Sequence, residues 1–269
     1  MKRLLAATAL LGLMAAISPG PARASDQSAG RAQRWHVLSQ TIFGHRPLHD
    51  GTGIVALDAP YRALDAALVP VTIILTEGRK VKSVTLVIDA NPAPLAARIT
   101  FGPAAAPHDL RLRVRVNDYT NMQAVAETAD GTLYMTQRFV KASGGCSAPV
   151  GESDAAALAG IGRMKLHLLA PFIAGQPVEA QLLIRHPNFN GMQMNQLTRL
   201  YTPARFIDKL DITYNDTLVL HMDADISLST NPAITFGFVP HGPGTLKIVA
   251  HDSQGSIFRH SFTLPLTSD

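Results

Sequence analysis

The segment Asp109–Asn117 alternates apolar and basic residues without interruption. The two classes take turns along the chain in the order Leu110, Arg111, Leu112, Arg113, Val114, Arg115 and Val116. Successive side chains of a β-strand point to opposite faces, so this pattern predicts a half-buried strand with a solvated basic face. A strand of this kind needs a second layer to cover its apolar face, which indicates a layered β architecture.

Short apolar runs bounded by turn residues recur on both sides of this strand. In the first half of the chain they predict strands at 53–57, 69–75, 81–89, 96–101, 109–117, 123–127 and 133–140. In the second half they predict strands at 164–169, 178–186, 206–214, 217–222, 233–238, 244–251 and 256–263. About seven short strands in each half is the count of a β-sandwich, so the sequence predicts an all-β chain of two sandwich domains packed on each other.

Little helix is expected. Arg34–Phe43 has its apolar residues on one helical face and is followed by Gly44, which predicts one short helix there. Residues 25–33 are small and polar and are expected to be loose, and 44–53 is expected to be a loop. The stretch 147–162 is rich in Ala, Gly and Ser and has no periodicity, so we interpret it as a flexible linker.

Residues 1–24 have the pattern of a secretory signal, with Lys2 and Arg3, an apolar run, and a small-residue site at Ala22–Ala24. We therefore expect a periplasmic protein with no membrane anchor after signal removal. Three of the 24 basic residues lie in the signal, which leaves only one more basic residue than the 20 acidic ones. A chain this close to neutral has no basic excess to attract nucleic acid.

The chain has a single cysteine, Cys146, in the segment Lys141–Pro149. A lone cysteine cannot form an internal disulfide, so it is either a buried thiol or a free one. Gly144 and Gly145 precede it, and Ser-Ala-Pro follows it. These residues are typical of loops, so we expect Cys146 to be free and accessible on an arm made flexible by Gly144 and Gly145.

Sequence motifs of enzymes are absent: there is no Walker loop, GxSxG, HExxH or CxxC. We expect no catalytic residue, no metal and no cofactor. Ten histidines are scattered without metal-ligand spacing. A copper or redox protein stays open as an alternative because His and Met residues suit copper, at His186, Met192, Met194, His221 and Met222.

Several segments, in this order, resemble the SoxY and SoxZ subunits of the bacterial sulfur-oxidation carrier. The SoxY-like segments are Ile54–Ile73, Asn91–Pro94, Asp130–Tyr134 and Val140–Cys146. The SoxZ-like segments are Ile184–Pro187, Thr202–Ile207, Tyr214–Asn215 and Ser229–Phe236. A SoxY-like part followed by a SoxZ-like part is similar to the fused SoxYZ-like carriers associated with quinoprotein (PQQ-dependent) dehydrogenases.

The resemblance implies two immunoglobulin-like sandwiches. It divides the chain into a signal peptide (1–24), a SoxY-like domain (25–146) ending in the Cys146 arm, a linker (147–162) and a SoxZ-like domain (163–269). It also implies that Cys146 carries sulfur intermediates covalently, that the protein is not itself an enzyme, and that its partners are periplasmic redox enzymes. Those partners would be a Sox-type cytochrome or hydrolase, or a quinoprotein dehydrogenase.

One departure from the carriers of this family concerns the residues after the cysteine. Cys146 is followed by Ser147–Pro149 and not by Gly-Gly at a free C-terminus, and its arm is tethered at both ends. The identity of the cargo therefore stays open, and it is either derived from thiosulfate or another sulfur compound. A second function also stays open, a non-catalytic binding or assembly module for a periplasmic quinoprotein dehydrogenase.

Overall fold

The computed structural model of the chain describes residues 22–76, 81–149, 153–195 and 198–265. The predicted class is confirmed: the described residues form fifteen strands and two helices. In the first half the strands are β1 (Leu48–Asp50), β2 (Val55–Asp58), β3 (Val69–Leu75), β4 (Val81–Ile88), β5 (Leu95–Phe101), β6 (Asp109–Val114), β7 (Thr120–Thr128) and β8 (Leu133–Val140). In the second half they are β9 (Met164–Leu168), β10 (Val178–Ile184), β11 (Ile207–Tyr214), β12 (Thr217–Ala224), β13 (Ala233–Phe238), β14 (Gly244–Asp252) and β15 (Ile257–Leu264).

Alternation of buried and exposed side chains follows the alternation in the sequence. In β3 every second side chain is buried, from Val69 to Leu75. In β10 the same holds from Val178 to Ile184. Because strands such as these have one apolar face, the strands stack into two layers with those faces inward, and each half is an immunoglobulin-like β-sandwich.

The two layers run through both halves of the chain. One sheet has nine strands in the order β1-β8-β7-β4-β5-β12-β11-β14-β15, and the other has six in the order β2-β3-β6-β13-β10-β9. The halves meet where β5 pairs with β12, from Ala97 opposite Ala224 to Phe101 opposite Leu220. They meet again in the other sheet where β6 pairs with β13. The halves are therefore packed edge to edge and share one apolar core, which contains residues of both.

The first helix is longer than the sequence pattern indicated. Helix α1 spans Ala22–Phe43 and ends at Gly44, which has a positive φ of 67°. The expectation that residues 25–33 are loose is wrong, since Ala, Gln and Arg favour helix and no proline interrupts them. Phe43 packs against Val125 and Leu133, which anchors the end of the helix on the nine-stranded sheet.

Strand β1 lies inside the stretch 44–53 that was expected to be a loop. It pairs in parallel with β8, with Leu48 opposite Leu133. Its sequence, Leu-His-Asp, has one apolar residue and no alternation, so periodicity alone does not identify it. Parallel pairing with a distant strand supplies its hydrogen bonds.

The stretch interpreted as a linker is described on either side of 150–152. Helix α2 occupies Asp154–Leu158, where the Ser153 side chain accepts a hydrogen bond from the Ala156 N–H. Arg185 donates from Nη2 to the Ala156 carbonyl oxygen at 3.0 Å, which attaches this helix to the second half. The linker and the domain boundaries stay predictions.

Most of the predicted signal, residues 1–24, lies outside the described residues; 22–24 form the start of α1. Neither helix in the described part of the chain has the length and apolar character that a membrane span needs.

Candidate functional site

The segment after β8 folds back on the body of the protein in a turn that contains Cys146. The Gly144 N–H donates to the Asn117 carbonyl oxygen at 2.9 Å, and the Gly145 N–H donates to the Val116 carbonyl oxygen at 3.0 Å. The Ser147 N–H donates back to the Gly144 carbonyl oxygen at 3.2 Å and closes the turn. We call residues 144–147 the Cys146 turn.

Cys146 is fully buried, with 0% of its surface exposed. The expectation of an accessible thiol is therefore wrong for this conformation. The second half of the chain contributes to the burial, because the Asn190 side chain donates from Nδ2 to the Cys146 carbonyl oxygen at 2.6 Å. Asn190 is itself held by Gln193, whose Oε1 accepts from the Asn190 N–H at 3.0 Å. The Cys146 turn thus lies at the junction of the two halves, clamped from both.

Gly144 and Gly145 contribute differently to the conformation in which the Cys146 turn is packed against the protein, which we call the docked turn. Gly144 has a φ of 75°, which residues with a Cβ adopt only with strain. At Gly145 a Cβ would collide with the Ala66 carbonyl oxygen and would lie 2.7 Å from the Val116 carbonyl oxygen. Here Gly144 permits the turn and Gly145 lets three backbone segments meet, while their role in a moving arm stays a prediction.

Arg115 was expected on a solvated face together with Arg111 and Arg113, and this is wrong for Arg115. Only 1% of it is exposed, because β6 ends at Val114 and the alternation stops there. Its Nη2 donates to the Asn188 carbonyl oxygen at 2.9 Å and to Thr230 Oγ1 at 2.8 Å. A longer contact of 3.4 Å joins Nη2 to the Pro187 carbonyl oxygen. Arg115 therefore crosses from the first half into the second, close to the Cys146 turn.

The buried Cys146 thiol and the buried Arg115 guanidinium interact electrostatically. Burial raises the pKa of the Cys146 thiol to about 11, and the Arg115 guanidinium offsets part of that rise. Burial also lowers the pKa of Arg115 to about 10. At neutral pH the Cys146 thiol is therefore uncharged, while the Arg115 guanidinium that acts on it is charged.

A cavity of about 320 Å³ adjoins the site. Both halves line it, through Asp65, Ala67, Leu68, Arg113, Arg115, Pro149, Thr230 and Asn231. Pro149 lies three residues after Cys146, and Arg115 forms a buried part of the wall. The cavity therefore has room, beside the Cys146 turn, for a group larger than the hydrogen atom of a thiol.

The two histidines that suggested copper have other polar partners. His186 is buried, and its Nδ1 accepts from the Asn188 N–H at 3.1 Å. His221 instead faces Asp211, at 2.7 Å from its Nδ1. Across the described ranges, no three residues of the types His, Cys, Asp and Glu come together in a way that could hold a metal ion. The copper alternative has no support from these residues.

The burial of Cys146 predicts slow and pH-dependent alkylation. A pKa of about 11 leaves little thiolate at pH 8, so iodoacetamide should react with the native protein at least about a hundredfold more slowly than with free cysteine. The rate should go on rising above pH 9, where a free thiol levels off. The measurement is intact mass against time, with the urea-unfolded protein as the control. A native rate equal to that of free cysteine would contradict the docked turn.

The same pKa has a consequence for stability. Because the thiol ionises more readily in the unfolded state, the contribution of Cys146 to the free energy of unfolding should fall as the pH rises from about 8.5 towards 11.

Comparisons with known proteins give two family matches, one after the other along the chain. Residues 39–146 match the family described as sulfur oxidation protein SoxY, and residues 170–263 match that described as sulphur oxidation protein SoxZ. Cys146 is the last residue of the SoxY match.

Solved structures that are similar to parts of this chain include a SoxY and a superoxide reductase. The structure of the sulfur carrier protein SoxY from Chlorobium limicola f thiosulfatophilum is 26% identical over 44% of this chain and 99% of its own, with a TM-score of 0.38. A superoxide reductase (neelaredoxin) from Ignicoccus hospitalis is 13% identical over 33% of this chain and 78% of its own, with a TM-score of 0.29. No curated protein matches the chain. The two family matches, in tandem over most of the sequence, place this chain among the fused SoxYZ-like proteins, with a SoxY domain followed by a SoxZ domain.

Proposed function

We propose that this protein is a carrier for sulfur oxidation that holds sulfur-containing intermediates covalently on Cys146 and presents them to partner enzymes. One observation supports this most directly: the only cysteine of the chain is the last residue of its SoxY match. It also lies in a turn that the SoxZ half clamps through Asn190. The turn that contains the thiol is thus hydrogen-bonded to both domains.

Carriage requires the turn to leave its docked position. The nucleophile in thiol chemistry is the thiolate, and a pKa of about 11 keeps the docked Cys146 protonated at neutral pH. A thiol released to solvent returns towards a pKa of about 8.5 and becomes reactive. Docking would therefore protect the thiol between encounters, and undocking would deliver it to a partner. The adduct would be a persulfide, a mixed disulfide or an S-sulfonate.

The carrier itself supplies no catalytic group in this proposal. The partner enzymes would be periplasmic redox enzymes, either a Sox-type cytochrome or hydrolase or a quinoprotein dehydrogenase. The periplasmic location rests on the signal pattern of residues 1–24.

A second function has one observation in its favour. Because Cys146 is buried and its carbonyl oxygen is hydrogen-bonded at the junction of the halves, it could serve packing alone. The protein would then be a non-catalytic assembly module for a periplasmic quinoprotein (PQQ) dehydrogenase, and Cys146 would be incidental.

Intact-mass spectrometry of the protein isolated from its native host separates the two functions. Under growth on a reduced sulfur compound, we expect an added mass of sulfur-containing composition that a reducing agent removes. The Cys146→Ser variant from the same host should show only the unmodified mass. If the wild-type protein has only the unmodified mass under all such growth conditions, carriage is wrong and the assembly module is favoured.

A further inference from the structure

Arg115 is a buried cation that forms no ion pair in the described part of the chain. Its three hydrogen-bond acceptors are two backbone carbonyl groups and a hydroxyl, all uncharged. Its Nε is buried and has no hydrogen-bond partner among the described residues. Buried charges are normally paired, because an unpaired one loses its hydration without compensation. The resting protein therefore has a buried guanidinium with one unused donor and no carboxylate within ion-pair distance among the described residues, and the charge of the exposed Asp65 acts on it from farther away.

The unpaired guanidinium faces a space that can hold a ligand. Arg115 lines the cavity of about 320 Å³ beside the Cys146 turn, together with Thr230 and Asn231. Arg113, on the same wall, adds a second cation, while the exposed Asp65 is the one carboxylate among the lining residues. Two cations and one exposed carboxylate in the lining suit a small anion.

We propose that Arg115 binds the anionic end of the sulfur cargo while that cargo is attached to Cys146. The proposal rests on the carrier function, and what it adds is the residue that would hold an adduct ending in a negative charge, such as a sulfonate or a persulfide. A guanidinium donates several N–H groups in one plane, and these suit the oxygens of an anionic group.

Loading would change the charge balance of the docked turn. The unloaded thiol is neutral at neutral pH, whereas a sulfonate or persulfide adduct is negative. The new charge would lie beside Arg115, which forms no ion pair among the described residues, and would accept the hydrogen bond that Nε leaves unused. An anionic cargo therefore stabilises the docked state, and a neutral or cationic one does not.

The test attaches adducts of similar size and opposite charge to Cys146. The reagents are 2-sulfonatoethyl methanethiosulfonate and 2-(trimethylammonio)ethyl methanethiosulfonate. In each reaction the Cys146 proton is lost to solvent and the thiolate forms a disulfide with the reagent's sulfenyl sulfur. The S–S bond of the reagent breaks, and methanesulfinate leaves with its electron pair. Labelling in urea followed by refolding overcomes the burial of the thiol.

The measurement is the rate at which dithiothreitol releases each adduct, relative to the same adduct on the unfolded protein. We expect the anionic adduct to be released roughly tenfold more slowly than the cationic one in the native protein, as a charge-assisted contact would give. In Arg115→Gln the two rates should fall within about twofold of each other. Arg111→Gln, on β6 four residues before Arg115 and away from this cavity, should behave as the wild type.

Two outcomes would overturn the proposal. One is equal release of the two adducts from the wild-type protein, which needs no variant and so does not depend on whether Arg115→Gln folds. The other is an undiminished charge preference in Arg115→Gln, which would show that Arg115 only supports the junction. The native-mass experiment tests carriage and this one tests charge preference, so each can fail alone.

Discussion

Replacing Gly145 with alanine is expected to expose Cys146 to alkylation while leaving both sheets intact. The new Cβ would collide with the Ala66 carbonyl oxygen and press on that of Val116. Both are backbone atoms, which cannot rotate away as a side chain can. Overpacking typically destabilises the crowded conformation, here the docked turn, by about 1–3 kcal/mol. At the upper end of that range the undocked turn is roughly a hundredfold more populated than in the wild type. The rate of iodoacetamide labelling at pH 8 should rise by that factor.

Gly144→Ala is the matched control one residue earlier. A Cβ there meets only Ser147 Oγ at 4.0 Å, so the cost comes from the positive φ alone. That strain is worth about 1 kcal/mol, so labelling should accelerate only about fivefold. If the two variants label at the same rate, close packing at Gly145 does not hold the turn. If neither differs from the wild type, Cys146 is reached by a route that does not involve undocking.

The strands were predictable because their signal is local. A strand with one buried face repeats every two residues, and β3, bounded at Val69 and Leu75, begins and ends where the sequence indicated. The end of β6 was not predictable in this way. Alternation continues in the sequence to Val116, but pairing stops at Val114, and Arg115 turns into the junction of the halves.

The burial of Cys146 was hidden from sequence reasoning for a related reason. Glycine and small polar residues around a cysteine are typical of loops, and the segment does form a turn. What covers the turn comes from far along the chain, namely the backbone of Ala66 and the side chain of Asn190. Gly145 was interpreted as a source of flexibility, whereas the structure also uses its missing side chain for close packing. The local sequence does not distinguish these two uses of glycine.

The order of strands in each sheet depends on pairing between halves, which no local pattern encodes. The sequence predicted two sandwiches packed on each other, and the structure shows the packing as continuous sheets through β5–β12 and β6–β13. Continuous sheets constrain how the halves fit together more tightly than two packed surfaces do, because the backbone hydrogen bonds of the paired strands must match in register.

Cutting the chain at 150–152 is therefore expected to leave the two halves bound to each other. The cut removes one covalent link but none of the backbone pairing at the junction, and the core extends across both halves. After limited proteolysis, size-exclusion chromatography without denaturant should show both fragments in one peak at the mass of the uncut protein. Two separate peaks would mean that the halves are independent domains on a linker.

Gly102→Ala should weaken this association. Gly102 lies at the junction, where its N–H donates to the Val219 carbonyl oxygen at 2.8 Å and an added Cβ would collide with the Leu218 carbonyl oxygen. A cost of about 1–3 kcal/mol corresponds to roughly a 5- to 150-fold rise in the dissociation constant of the cut protein.

Gly51→Ala is the control, because its Cβ would press on Met135 within the first half, at 2.7 Å from the carbonyl oxygen. That variant should lower the unfolding midpoint of the protein without separating the fragments. Equal effects of the two variants on fragment association would show that general destabilisation, and not the junction at Gly102, controls how the halves hold together.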